Sequence, residues 1–292
     1  MIFPMRAYLE ITTLCNRSCS FCAGTQRKKE FLPQEKFEER LKKVLPVTDN
    51  LFLHLMGEPL LHPDFEKIGD LCRKYGAKVT LVTNGTLLAG KEEYLLDNPA
   101  FRQINFSLHA LRKESQQDRE ILENILSFCK KAEKVREDMY INLRLWNQHS
   151  KEEKTTEELN TFLLSAIGER FPLPSSEQLQ FSPGRKSKHL SGRIYLNMDT
   201  VFQWPETEKE ILHEKGFCHG MRDQFGVLTD GRIVPCCLDT EGKVSLGNID
   251  RVENINEILS SPEAESIRKG FEEGIAVKKF CKKCSFRTRF RK

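Results

Sequence analysis

The chain has 292 residues, 39% of them apolar and 30% charged, with a net charge of +4 at pH 7. This length allows one large domain, or a large domain with a small appendage. The composition fits a soluble globular protein, and the lack of an apolar run of about 18 residues excludes a membrane-spanning helix. The N-terminus, "MIFPMRAYLEITTLC", lacks the features of a signal peptide, so we expect a cytoplasmic protein with no membrane partner.

Residues 1–200 alternate between strand-like and helix-like segments. The predicted strands are 6–12, 51–56, 78–83, 102–108, 139–146 and 193–198, and the predicted helices lie near 34–46, 64–75, 91–97, 115–136 and 155–169. Strands separated by helices are typical of βα units and a parallel sheet. Six such units predict an α/β fold, a partial (β/α)6 TIM-like barrel. The segment 170–191 contains three prolines and several serines, and we expect it to be a long surface connection.

Several predicted strands alternate apolar and polar residues, and successive side chains of a strand point to opposite faces. We expect the apolar set to pack on the helices and the polar set to line the interior, which a tightly closed barrel would fill with apolar side chains. This pattern predicts a wide polar cavity; the alternative is a sheet exposed on both faces. The polar set includes Tyr8, Glu10 and Thr12 on the first strand and, as candidate cavity residues, Asn142, Arg144, Trp146 and Tyr195.

The last segment, residues 206–292, lacks the regular alternation of strands and helices predicted for residues 1–200. "FGVLTDGRIVPCC" predicts a hairpin, because two apolar runs flank the turn sequence "TDGR". A helical stretch follows at 254–274. Small units with few large apolar residues commonly need a metal to stabilise them. We therefore predict two domains, a barrel at 1–205 and a small metal-dependent domain at 206–292.

The ten cysteines are unevenly distributed. Cys72 and Cys129 are isolated on helical patterns and are predicted to be packing residues. Clustered cysteines in a reducing compartment favour metal binding or catalysis over disulfides. Cys15, Cys19 and Cys22 lie after the first predicted strand, with gaps of three and two residues. A closed zinc or iron–sulfur site needs four ligands. Three thiolates therefore leave one position open, to be filled by a distant ligand or by a substrate.

This CxxxCxxC spacing, with aromatic Phe21 before the third cysteine, resembles the signature of the radical S-adenosylmethionine (radical SAM) enzymes. The resemblance implies that Cys15, Cys19 and Cys22 hold three irons of a 4Fe–4S cluster, and that the fourth iron chelates the methionine part of SAM. Phe21 would lie beside the adenine.

Later segments also resemble the radical SAM enzymes, and the resemblance covers residues 5 to about 200. "MGEP" at 56–59 is similar to the family's GGE motif, which receives the SAM amino group, although Met56 replaces the first glycine before Gly57 and Glu58. The carbonyl of Met56 can still accept that group. Ser107 matches a position that touches SAM, and Arg144 is a plausible partner for its carboxylate; the alternative for both is hydrogen bonding inside the barrel.

The C-terminal cysteines resemble the auxiliary-cluster domain of the SPASM/twitch radical SAM enzymes. Cys218 is followed by Gly231 and then, after four residues, by Cys236; Cys281 and Cys284 form a CxxC pair. Five cysteines cannot ligate two full clusters, so the resemblance favours the twitch-like form, with one 4Fe–4S cluster on Cys218, Cys236, Cys281 and Cys284. Cys237 could replace Cys236. The alternative for the whole group is a four-cysteine zinc site.

The resemblance implies two 4Fe–4S clusters, SAM, and an external one-electron reductant of the flavodoxin or ferredoxin type. Cleavage of SAM would give a 5′-deoxyadenosyl radical that takes a hydrogen atom from substrate, and the auxiliary cluster would complete a net two-electron oxidation; the alternative for that cluster is a structural role or a role as an electron conduit. We expect a small polar substrate rather than a peptide, because the first strand begins near residue 6 and leaves no room there for a leader-binding domain. The basic tail at 277–292 keeps RNA possible. The alternatives are a peptide-, protein- or RNA-modifying maturase and, from another class, a non-catalytic iron–sulfur electron carrier.

Overall fold

The computed structural model describes residues 5–148, 153–175, 179, 186–201, 204–205, 210–211 and 214–290. The chain divides into two compact units, one formed by residues 1–79 with 202–292 and the other by residues 80–201. One strand, β3 (Lys78–Thr83), crosses the division. Among the described residues, no helix is long and apolar enough to cross a membrane.

The first unit joins the beginning of the chain to its end. Its elements are β1 (Arg6–Leu9), α1 (Gln34–Val44), β2 (Asn50–Phe52), α2 (Phe65–Lys74), β8 (Gln224–Val227), β9 (Arg232–Val234), β10 (Gly247–Asn248), α6 (Asn256–Leu259), α7 (Pro262–Glu272) and α8 (Lys279–Lys282). Its strands lie in the order β10-β9-β8-β1-β2. β1 pairs in parallel with both β2 and β8, whereas β9 pairs antiparallel with both β8 and β10.

Local sequence accounts for these elements. Helix α1 buries Phe37, Arg40, Leu41 and Val44, the i, i+3, i+4, i+7 spacing of one helical face. Helix α2 ends at Lys74, and Gly76 follows it with a positive φ of 72°, which allows the amide of Ala77 to donate to the carbonyl of Cys72. The predicted hairpin forms between β8 and β9, and Gly231 at φ 87° makes its turn.

The second unit contains α3 (Glu92–Asp97), β4 (Phe101–Phe106), α4 (Gln116–Val135), β5 (Tyr140–Gln148), α5 (Glu153–Gly168), β6 (Ser187–Ser191) and β7 (Ile194–Thr200). The strands lie in the order β4-β5-β7-β6, with β4, β5 and β7 parallel. Ser115 caps the start of helix α4, since its hydroxyl accepts the amide of Asp118. Along β5, buried residues alternate with partly exposed ones, as the sequence predicts.

The predicted α/β fold with parallel βα units is confirmed, and it is consistent with a partial TIM barrel that carries a C-terminal auxiliary domain. One prediction is wrong: residues 187–191 do not belong to a surface connection. They form β6, antiparallel to β7, because Gly192 adopts a φ of 50° and reverses the chain. The parallel pairing of β8 with β1 was not predicted. The isolated Cys72 and Cys129 are buried on α2 and α4, as expected of packing residues.

Candidate functional site

The loop that carries the first three cysteines spans residues 14–27 and is called here the cluster loop. Two threonines at the end of β1 close its base. The hydroxyl of Thr13 donates to the carbonyl of Lys28 (2.8 Å) and accepts the amide of Glu30 (2.9 Å). The hydroxyl of Thr12 accepts the amide of Leu14 (2.9 Å). Both ends of the loop are therefore held at the carboxyl end of β1.

The cysteines of the cluster loop are accessible. Cys15 and Cys22 are exposed and Cys19 is half-buried. The amide of Cys22 donates to the carbonyl of Cys19 (3.1 Å), which forms a tight turn, and the amide of Gly24 donates to the sulfur of Cys22 (3.4 Å). Thiolates with amide donors to sulfur are the ligands that iron–sulfur clusters use. The donor set of this loop therefore fits such a cluster.

The loop after β2, residues 55–59, packs against the start of the cluster loop and is called here the motif loop. Gly57 has a φ of 76°, and a Cβ atom placed on it would lie 2.5 Å from the carbonyl oxygen of Thr12 and 2.8 Å from that of Leu14. The amide of Glu58 donates to the carbonyl of Leu14 (2.8 Å). Only glycine allows this approach. The buried carboxylate of Glu58 accepts the amide of Leu60 (3.0 Å), which orients it toward its own loop.

Glu10 departs from its expected role as a cavity-lining residue. Its side chain is completely buried, and each carboxylate oxygen accepts two hydrogen bonds. One oxygen accepts Arg27 (2.7 Å) and the amide of Met56 (3.0 Å), and the other accepts Arg27 (2.7 Å) and the amide of Thr229 (2.9 Å). The sequence indicates that Glu10 lies near the end of β1. It does not indicate the hydrogen-bond donors to Glu10, because they belong to other segments of the chain.

Trp204 is a second residue that sequence reasoning missed. Its indole nitrogen donates to the carbonyl of Phe21 in the cluster loop (2.8 Å). The sequence offered one signal, because tryptophan is unusual in a polar stretch such as "QWPETE". This contact fixes the backbone of the residue for which the resemblance predicts a place beside adenine.

The other cysteine group, Cys218, Cys236, Cys281 and Cys284, comes together in the same unit. Burial raises the pKa of the Cys218 thiol to about 11, and the neighbouring Cys284 adds to the shift. Burial, together with the surrounding Cys237, Cys218, Cys281 and Cys284 thiols, raises the pKa of Cys236 well above its ordinary value. Burial and the adjacent Cys218 and Cys284 also raise that of Cys281. Crowded thiols of this kind need a metal's positive charge to ionise together, so the donor set fits a cluster.

Two further residues, Cys237 and Arg287, lie near these four cysteines. Cys237 packs against the hydrophobic cluster formed by Tyr8, Leu55, Leu228 and Val234. Arg287, which is 4% exposed, donates to the carbonyls of Cys281 (2.9 Å) and Gly216 (3.1 Å). Its positive charge favours the thiolate forms of Cys218 and Cys281. This is one arginine of the basic tail, and it faces inward. In the described part of the chain, no three His, Cys, Asp or Glu side chains form a site for a single metal ion.

The remaining predicted residues lie in the second unit. Asn142, Arg144 and Trp146 occupy the partly exposed face of β5, and Tyr195 lies opposite Asn142 on β7. The Arg144 guanidinium lies over the Trp146 ring (4.3 Å), and the Trp146 indole donates to Asn197 (2.6 Å).

Two further contacts complete this polar face. Asn142 donates to the side-chain oxygen of Asn105 (2.8 Å), a residue that is fully buried. Ser107 directly follows β4, and its amide donates to the carbonyl of Thr83 (2.9 Å). His109 contacts the carbonyl of Arg144 (3.1 Å), and burial lowers its pKa to about 4. The roles of Ser107, Arg144 and the cavity residues toward SAM and substrate remain predictions.

A parallel βα fold with a three-cysteine loop at the end of its first strand, and a second cysteine group near the C-terminus, defines a class of iron–sulfur proteins. A profile of the Radical SAM superfamily matches residues 9–155, and the SPASM iron-sulfur cluster-binding domain matches residues 218–285. The first match covers half of the chain, so the chain belongs to the radical SAM superfamily. Membership indicates an enzyme that uses a 4Fe–4S cluster, SAM and an external reductant. No curated protein matches the chain.

Solved structures share the fold at low sequence identity. BtrN in complex with AdoMet and 2-DOIA is 15% identical, with a TM-score of 0.52 over 94% of this chain and 89% of BtrN. SuiB from Streptococcus suis, bound to precursor peptide SuiA, is 15% identical, with a TM-score of 0.59 over 92% and 67%. The anSMEcpe structure with AdoMet and the Cp18Cys peptide is 16% identical, with a TM-score of 0.55 over 97% and 86%. These similarities show the fold.

Proposed function

We propose that this protein cleaves SAM reductively and uses the resulting 5′-deoxyadenosyl radical to take a hydrogen atom from a polar substrate. The observation that carries the proposal is the contact between the two loops at the carboxyl ends of β1 and β2. Gly57 brings the motif loop within van der Waals range of the backbone just before Cys15. The family's two SAM-related motifs are thus adjacent in this chain.

Each of these residues has a role in the proposal. Cys15, Cys19 and Cys22 would hold a 4Fe–4S cluster with one open iron. The loop of Met56, Gly57 and Glu58 would receive the SAM amino group through a backbone carbonyl, and Phe21 would flank the adenine. Bound together, cluster and SAM supply the radical chemistry, and the protein provides position and shelter from water.

We assign the auxiliary cluster to Cys218, Cys236, Cys281 and Cys284. One observation supports Cys236 rather than Cys237: Cys237 packs against an apolar cluster of side chains. With four cysteine ligands the auxiliary cluster would have no open iron. It would accept one electron from the substrate radical while the substrate releases a proton, and the overall reaction would then be a two-electron oxidation. The barrel would comprise residues 1–205 and the twitch-like domain residues 206–292.

The polar faces of β5 and β7 favour a small polar substrate, and Asn142, Trp146 and Tyr195 would contact it. The neighbouring structures contain both kinds of ligand, because BtrN was solved with 2-DOIA, and SuiB and anSMEcpe with peptides. A peptide or RNA substrate is therefore the alternative. An anaerobic structure with SAM and candidate substrates soaked into the crystal distinguishes them.

The cluster assignment is tested by iron analysis. Anaerobically reconstituted protein should be brown and should bind about eight irons in two 4Fe–4S clusters. Changing Cys15, Cys19 and Cys22 together to alanine should leave about four irons. Protein that holds zinc and no acid-labile sulfide would contradict the assignment.

The catalytic role is tested by SAM cleavage. Dithionite-reduced protein should form 5′-deoxyadenosine slowly without substrate. Cys22→Ala should abolish this product, whereas Cys284→Ala should retain part of it if the barrel remains folded. A non-catalytic electron carrier would consume no SAM, and equal behaviour of the two soluble variants would refute the division of roles.

A further inference from the structure

We infer that the buried Glu10–Arg27 pair is a positioning device that fixes the motif loop and the auxiliary domain relative to the cluster loop. The inference rests on the proposed function for the identity of the groups that it joins. Glu10 directly follows β1, two residues before the first of the threonines that close the cluster loop, and Arg27 is the last residue of that loop. Their side chains are 0% and 8% exposed.

The pair contacts three separate segments of the chain. Through Glu10 it accepts the amide of Met56 in the motif loop and the amide of Thr229 in the β8–β9 turn. Through Arg27 it donates to the carbonyl of Thr240 (2.6 Å) and to the hydroxyl of Thr229 (3.2 Å). Thr240 belongs to the loop that follows Cys236 and Cys237. One buried ion pair therefore joins the cluster loop, the motif loop and two segments of the auxiliary region.

The geometry is specific to these two side chains. The planar guanidinium spans both carboxylate oxygens and still has its third nitrogen for Thr240, which a lysine cannot reproduce. Each carboxylate oxygen is already saturated by one arginine and one backbone donor. A buried pair of this kind is a poor source of stability but can specify one arrangement. Changes of 1 Å in the position of reacting groups are enough to impair catalysis.

A second buried arginine, Arg40 of α1, contacts the same β8–β9 hairpin and serves as a matched control. Arg40 is 3% exposed, pairs with Asp250 (2.8 Å), and donates to the carbonyls of Leu228 (3.1 Å) and Thr229 (2.9 Å). It therefore anchors the β8–β9 turn to α1. Its hydrogen bonds involve neither the cluster loop nor the motif loop. Removing Arg40 therefore shows the effect of losing a buried ion pair at this hairpin when the cluster loop and the motif loop keep their own contacts.

The experiment compares the reconstituted parent with two neutral-pair variants, Glu10→Gln/Arg27→Met and Arg40→Met/Asp250→Asn. Replacing both partners avoids leaving an unpaired buried charge. Pulsed dipolar EPR on the two reduced clusters gives the width of the intercluster distance distribution. We expect Glu10→Gln/Arg27→Met to widen it at least twofold at parental iron content, and the Arg40 variant to match the parent. Arg27→Lys should give an intermediate width. A parental width in the Glu10/Arg27 variant overturns the inference.

A second measurement does not depend on two clusters being present. In Glu10→Gln/Arg27→Met, the hydrogen-exchange rate should rise at least tenfold at one of two amides, that of Met56 or that of Thr229. The reason is that the single side-chain oxygen of glutamine cannot replace both carboxylate oxygens of Glu10. Parental protection at both amides overturns the inference. A parent with fewer than two clusters or no SAM cleavage refutes the proposed function, and the exchange measurement still decides the role of the pair. If the double variant fails to fold, exchange in the single variant Glu10→Gln is used and judged in the same way, because it removes the same carboxylate oxygen.

Discussion

Gly57→Ala tests whether the contact between the motif loop and the cluster loop is required. Gly57 has a φ of 76°, and the new Cβ would lie 2.5 Å from one backbone oxygen and 2.8 Å from another. A left-handed conformation costs an alanine about 1–2 kcal/mol. Because backbone atoms cannot rotate away, the loop must move, which weakens the buried hydrogen bond from Glu58 to Leu14 and costs about 1–3 kcal/mol more.

The expected loss of stability is therefore about 2–5 kcal/mol, which lowers the melting temperature by roughly 4–10 °C at about 2 °C per kcal/mol. The matched control is Gly76→Ala. Gly76 has a φ of 72°, and a Cβ added there would meet no atom within 4 Å, so this variant carries the backbone strain without the steric overlap. We expect this control to lose about 1–2 kcal/mol and roughly 2–4 °C.

The functional readout is SAM affinity, measured by equilibrium binding to the reconstituted protein. Moving the motif loop displaces the carbonyl proposed to accept the SAM amino group, a charged hydrogen bond worth about 1.5–3 kcal/mol. Gly57→Ala should therefore bind SAM roughly 10- to 150-fold more weakly, and Gly76→Ala should bind it as the parent does. If both variants had the same melting temperature and the same SAM affinity, the proposed contact would have no functional role.

Three further predictions concern single ionisable side chains. Arg144→Ala should weaken SAM binding by about 1.5–3 kcal/mol. The control is Arg193→Ala, because the Arg193 guanidinium lies over the Tyr140 ring at 4.6 Å, and this variant should bind SAM as the parent does. Equal SAM affinities of the two variants would rule out the role of Arg144. Burial holds the pKa of His109 near 4, below its unfolded value, so its contribution to stability should fall by about 2 kcal/mol from pH 7 to pH 5. The free energy of unfolding of His109→Gln, measured at pH 7 and pH 5, should lack this difference of about 2 kcal/mol. If the variant kept the pH dependence of the parent, the prediction would be contradicted. Arg287→Met should lower the reduction potential of the auxiliary cluster in an EPR-monitored titration, because reduction adds negative charge beside the lost cation; an unchanged potential would show that Arg287 is purely structural.

Local sequence determined the regular elements and the identity of the cysteine groups. The predicted strand at 78–83 coincides with β3, because alternation of apolar and polar residues has the period of a strand. The turn at Gly231 and the spacing of Cys15, Cys19 and Cys22 are likewise fixed within a few residues. The matching profile confirms the resemblance for which that spacing was the first indication.

Only the tertiary structure decided which distant segments meet. The sequence placed Glu10 among polar residues facing a cavity, but its carboxylate is buried, since donors from residues 27, 56 and 229 surround it. No local pattern encodes that pairing. The same holds for β8, which pairs with β1 across more than two hundred residues, and for Trp204 at the backbone of Phe21. Burial of a polar group depends on all of its partners at once, and these are brought together only when the chain folds.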